Sequence, residues 1–77
     1  MRPRYATPED FAKWRSQAET LDTHSLKWMI ADCRRVARNL RGFDPEREGY
    51  YEDQAFTFAD ELARRNRELP AGLRIRL

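Results

Sequence analysis

The chain has 77 residues, 36% of them charged and 40% hydrophobic, with 3 Gly, 4 Pro and a formal net charge of +2. At about 1.5 kcal/mol of ordering cost per residue, a chain this short supports one domain over 1–77 and leaves little room for a catalytic cleft. The balance excludes disorder, collagen and a β-sandwich, one cysteine excludes an internal disulfide, and no apolar run approaches the roughly 18 residues of a membrane span.

The first helix has a clear start. Thr7 suits the N-cap, Pro8 the first helical position, and Glu9 and Asp10 the positive end of the dipole. Phe11, Trp14, Ala18 and Leu21 then form a narrow apolar stripe, so the helix is expected over about 8–20. Leu21-Asp22-Thr23-His24-Ser25 offers three caps for a second helix, placed at about 23–41 with Gly42 as its left-handed terminator. Its core face reads Leu26, Met29, Ile30, Cys33, Val36, Ala37 and Leu40, an arc of about 120°.

Asp44-Pro45 is a second cap signal, but Gly49 would cost a helix starting there about 1 kcal/mol. The alternatives are a helix from Pro45 with a weak first turn or a loop persisting to Gly49. The reading favours regular helix over about 49–68. Tyr51, Ala55, Phe56, Phe58, Ala59, Leu62, Ala63 and Leu69 span about 160° there, enough to touch two elements. The short link makes the second and third helices an antiparallel hairpin, with the first helix covering the flank that carries Phe56. The expected fold is therefore all-α, a covered hairpin followed by a short extended tail. Leu73-Arg74-Ile75-Arg76-Leu77 alternates like a strand but is too short to hold one alone.

Charge is distributed unevenly: +4 over 1–43, −6 over 44–61 and +4 over 62–77. Two readings compete. In the structural one, arginines at the end of the second helix meet acids at the start of the third, which selects the antiparallel register. In the functional one, Lys27, Arg34, Arg38 and Arg41 form a stripe that follows a phosphate backbone. A helix-turn-helix is a weaker variant, since the arginines stand at the wrong end of the second helix.

The inventory for chemistry is nearly empty. Cys33 lies on a core stripe, His24 is the sole histidine, and the two cannot supply four zinc ligands. The glycines at 42, 49 and 72 form no phosphate-binding loop. Glu52-Asp53 and Asp60-Glu61 are paired carboxylates without an evident pocket to raise a pKa, so neither enzyme activity nor a cofactor is expected. Trp28 and Tyr50 fall about 80° outside the apolar arcs of their helices. Trp28 either packs beneath the first helix, against Trp14, or stands exposed as an interface anchor.

The stretch 25–65 carries a resemblance. Ser25-Leu26, Ile30-Ala31-Asp32-Cys33-Arg34, Gly49-Tyr50-Tyr51-Glu52-Asp53-Gln54 and Glu61-Leu62-Ala63-Arg64-Arg65 together resemble short helical-hairpin proteins of tailed bacteriophages and prophages. Gln54 stands where an acid is common in them, and an N-terminal helix precedes the hairpin here. The resemblance lends no activity and no site residue. It implies a phage-type accessory protein in a host cytoplasm, a reducing setting that the lone cysteine also fits. No hydrophobic block follows Met1-Arg2-Pro3-Arg4-Tyr5, so no secretory signal is expected.

The expected work is protein binding, to a host or phage protein or to a second copy as a homodimer, through Trp28, Tyr50, Leu73 and Ile75. The rival is nucleic-acid binding through Lys27, Arg34, Arg38 and Arg41. Neither a membrane nor a small-molecule substrate is expected.

Overall fold

The structure, a computed structural model, describes residues 6–74. Three α-helices follow one another: α1 (Pro8–Thr20), α2 (Thr23–Leu40) and α3 (Pro45–Glu68), with a short 3₁₀ turn at Ala71–Leu73. No strand occurs among the described residues, and the all-α expectation holds.

Side chains close each helix start. Thr7 and Asp10 form a reciprocal capping box on α1: the Thr7 N–H donates to Asp10 Oδ2 at 2.9 Å, and the Asp10 N–H to Thr7 Oγ1 at 3.2 Å. Asp22 caps α2 by accepting from the Ser25 N–H at 2.7 Å, which holds its carboxyl below the ordinary value. Asp44 caps α3 by accepting from the Arg47 N–H at 3.1 Å.

This third cap corrects the expected boundary of α3. The helix starts at Pro45 rather than near Gly49, and Gly49 sits inside it. A capping Asp, a Pro at the first position, and Glu46 and Glu48 at the positive end of the dipole together outweigh one glycine's cost of about 1 kcal/mol. Gly42 takes φ 83° just beyond α2, where the chain reverses through Phe43 and Asp44 N–H bonds to the Leu40 carbonyl.

The α2–α3 hairpin is antiparallel, with contacts at both ends. Arg41 Nε meets Glu48 Oε2 at 3.5 Å beside the connection, and Arg65 Nη1 reaches Thr23 Oγ1 at 3.3 Å at the far end. Between them Leu26, Ile30 and Cys33 pack with Ala55 and Phe58, and Trp14 and Ala18 of α1 complete the cluster. Leu26 and Phe58 are fully buried. The molecule is elongated, 48 × 24 × 17 Å, as a 24-residue helix of about 36 Å requires.

Helix α1 does not cover the flank of α3 that carries Phe56. That ring is 69% exposed. Instead α1 lies along the side bearing Tyr50, Thr57 and Glu61. Trp14 packs edge-to-face on Tyr50, with centroids 5.0 Å apart, and Phe11 packs edge-to-face on Trp14 at 5.4 Å.

The reason for this placement is a polar clamp at the other end of α1. Arg65 Nη2 donates to the Leu21 carbonyl at 2.6 Å and to the Ala18 carbonyl at 2.9 Å, the latter also accepting the Leu21 N–H at 3.3 Å where α1 ends. Glu61 holds Arg65 through Nε–Oε2 at 2.7 Å and takes Arg64 in a fork of 2.9 and 2.7 Å. These three residues tie all three helices together.

Of the expected extended tail, Arg74 has extended backbone while Leu73 closes a 3₁₀ turn. Leu73 belongs to the 3₁₀ turn and is exposed, and Arg74 folds back to donate to the Leu69 and Arg67 carbonyls, each at 2.9 Å. Ile75 and the last two residues of the alternating tail lie outside the described residues.

Candidate functional site: the outer face of α2

Eighteen residues of α2 bury one side and leave the other to solvent. Leu26, Ile30, Cys33 and Ala37, at spacings of four, three and four, turn into the core. The same periodicity places Lys27, Trp28, Ala31, Arg34, Arg35 and Arg38 outside, and all six are exposed. Trp28 is 60% exposed, so it does not pack beneath α1; Trp14 fills the core there instead. Trp28, Ala31, Asp32, Arg35 and Arg38 line a shallow depression of about 270 Å³.

The two charge readings divide residue by residue. Arg41 belongs to the structural one, through its contact with Glu48. Arg35 pairs with Asp32 one turn before it on the same helix. Lys27, Arg34 and Arg38 form no ion pair with any described residue. All three are exposed to solvent, and Arg38 shares the depression that Trp28 lines.

Asp53 and Asp60 of α3 do not oppose this face. Asp53 and Asp60 lie roughly 140–160° around α3 from Phe58, which packs with α2. A basic outer surface on α2 and an acidic flank on α3 therefore look away from each other. The wheel of either helix alone could not show this.

Other candidates fare differently. Tyr50 is half-buried between Trp14 and Tyr51, an edge of the core rather than a free anchor. Leu73 is exposed but belongs to the turn after α3, away from Trp28 in sequence and in element. Cys33 is buried, and its thiol is pushed up first by desolvation and then by Asp32. The arrangement opposes nucleophile activation, which requires the thiolate.

Glu61 is the most perturbed carboxyl. Hydrogen bonding from Arg64 lowers it to about 2, against the opposing effect of burial, and Arg65 adds to the lowering. A general acid needs the reverse shift. Among the described residues no three His, Cys, Asp or Glu side chains gather in a geometry that could hold a metal ion. None of the described helices is long and apolar enough to cross a membrane.

Sequence reasoning missed the Glu61–Arg65 clamp. Its local signal, acids and arginines three and four apart, was present, but the backbone acceptors Ala18 and Leu21 lie more than forty positions away. It also missed the exposure of Phe56 and of Phe43, which is 87% exposed in the hairpin connection.

Compared with family models, with curated proteins and with solved structures, the chain matches none.

Proposed function

We propose that this chain is a small non-enzymatic interaction module of the phage-accessory type, and that the outer face of α2 binds a protein partner with an acidic surface around an apolar pocket. The observation that carries the reading is an exposed Trp28 that shares a shallow depression with Arg38, on a helix face where the side chains of Lys27, Arg34 and Arg38 have no ion-pair partner among the described residues. Trp and Arg are the residues that dominate binding energy at protein interfaces, with a large ring filling a pocket and cations setting orientation and on-rate. A buried thiol and a carboxyl lowered rather than raised support a binding role over a catalytic one.

A second reading has its own support. Because Asp53 and Asp60 face away from α2, those two carboxylates do not repel a nucleic acid lying along the stripe, and Asp32 is paired with Arg35. Three phosphate contacts through Lys27, Arg34 and Arg38 would give a log–log salt slope of about −2.7 on duplex DNA, with Trp28 stacking on an exposed base of a single strand.

Affinity capture from bacterial lysate, with and without nuclease, separates the two. The proposal expects a captured protein that survives nuclease and moderate salt and disappears with Trp28→Ala. It expects Arg34→Glu with Arg38→Glu to slow association more than it speeds dissociation. Capture that vanishes on nuclease treatment, or that is unchanged by Trp28→Ala, overturns the protein reading.

A further inference from the structure

Helix α3 has one face that α1 and α2 only border: Ala59 packs against the core on one side, and Phe56 and Arg67 line a groove shared with Phe11, Arg15 and Glu19 of α1 on the other. Gly49, Glu52, Phe56, Ala59, Ala63 and Arg67 follow it at spacings of three and four, so they form a continuous stripe along the helix. Phe56 is 69% exposed at its middle, Glu52 and Arg67 are exposed toward its ends, and the small residues lie between them. A largely exposed phenylalanine bordered by alanines gives a helix both a knob and a shallow seat for one.

The stripe and its borders are electrically divided. The N-terminal part carries Glu52 and Asp53, Asp60 stands near the middle of the stripe, and the C-terminal part carries Arg64 and Arg67. Arg64 is engaged by Glu61 and Glu68, but the carboxylates of Glu52, Asp53 and Asp60 and the guanidinium of Arg67 form no ion pair with any described residue. One end of the face holds unpaired negative charge and the other unpaired positive charge.

We infer that a second copy of this chain docks here, α3 against α3 and antiparallel, about a two-fold axis near Ala59 and Asp60. Only the antiparallel arrangement sets the acidic end of each helix against the basic end of the other; a parallel pair would oppose acid with acid. Phe56 of each copy then lies toward the Ala59–Ala63 stretch of its mate, where small side chains admit close approach. The contact is isologous and closes as a dimer. A single helix pair is a small interface, so dissociation falls at micromolar rather than nanomolar concentration. The inference stands apart from the α2 face, which remains outside the contact.

Sedimentation velocity over a concentration series reaching hundreds of micromolar tests it. Wild-type chain is expected to pass from monomer to dimer without larger species. Phe56→Ala is expected to weaken dimerisation about tenfold, the effect of truncating one central anchor. Glu52→Arg and Arg67→Glu should each weaken self-association, and mixing the two variants should restore dimers. All three positions are exposed, and unchanged helical circular dichroism confirms that each variant folds. Trp28→Ala should leave dimerisation unchanged. A wild-type chain that stays monomeric throughout overturns the inference. So does a dimer indifferent to Phe56→Ala and the charge variants, or one abolished by Trp28→Ala.

Discussion

Glu61 and Arg65 show how much one pair of side chains decides in a chain of this size. Arg65 serves the Ala18 and Leu21 carbonyls, the Thr23 hydroxyl and the Glu61 carboxylate from a single planar fork. Arg65→Ala leaves the Leu21 carbonyl without its donor and the Ala18 carbonyl with only the Leu21 N–H, at 3.3 Å, and is expected to cost about 2–3 kcal/mol, read by chemical denaturation. Arg65→Lys should recover only part of this, because one ammonium cannot span the same acceptors. The pH dependence follows from Glu61, whose folded value of about 2 lies below the ordinary 4.5. A lowered carboxyl stabilises above its unfolded pKa and ceases to do so as pH falls through its folded one. The gap in melting temperature between wild type and Glu61→Gln should therefore be widest above about pH 5 and close toward about pH 2. A gap that stays constant with pH would mean that the carboxylate's charge is not what holds the clamp.

At the scale of the helices, the two phenylalanines of α3 separate buried from bare surface. Phe58 is fully buried among all three helices' core residues, so Phe58→Ala is expected to cost about 3–5 kcal/mol. Phe56→Ala, two positions earlier on an exposed face, should change monomer stability by no more than about 0.5 kcal/mol. Urea titrations of both variants, at concentrations where the chain is monomeric, check the contrast. The connection makes its own demand. Gly42 holds φ 83°, which a side chain resists, and an added Cβ would meet no other atom there. Gly42→Ala is thus expected to cost about 1 kcal/mol through backbone strain alone, with Gly42→Asn milder.

For the molecule as a whole, one core cluster and one clamp link α1, α2 and α3, so unfolding should be a single event. The two tryptophans offer a built-in check, since Trp14 is buried at 3% exposure while Trp28 is already in water. The red shift of Trp14 fluorescence, followed in Trp28→Phe, should share its midpoint with the loss of helical circular dichroism. An earlier fluorescence transition would show α1 leaving before the hairpin melts. The same architecture polarises the surface: α2 presents unpaired cations on one side, and α3 presents Asp53 and Asp60 on another. Binding at one need not disturb the other.

Much of this was legible in local pattern. Thr7-Pro8 marked α1, the Leu26–Leu40 periodicity marked α2, and Gly42 marked the reversal between helices, because caps, dipoles and periodicity act within a turn or two of chain. The split between charges paired across the hairpin and charges left free was not legible, since Arg34, Arg38 and Arg41 look alike in a row of letters. Only Arg41 lies where Glu48 can reach it.

By itself the sequence determined the helical class, the helix ends to within a few residues, the hairpin and the buried thiol. The tertiary structure decided that α1 lies against Tyr50 and Glu61 rather than Phe56, and that Trp28 faces water. A helical wheel states which residues share a face, but not which neighbour takes that face. Here the choice rested on contacts more than thirty positions apart, Trp14 with Tyr50 and Arg65 with Ala18 and Leu21, which exist only once the chain has closed on itself.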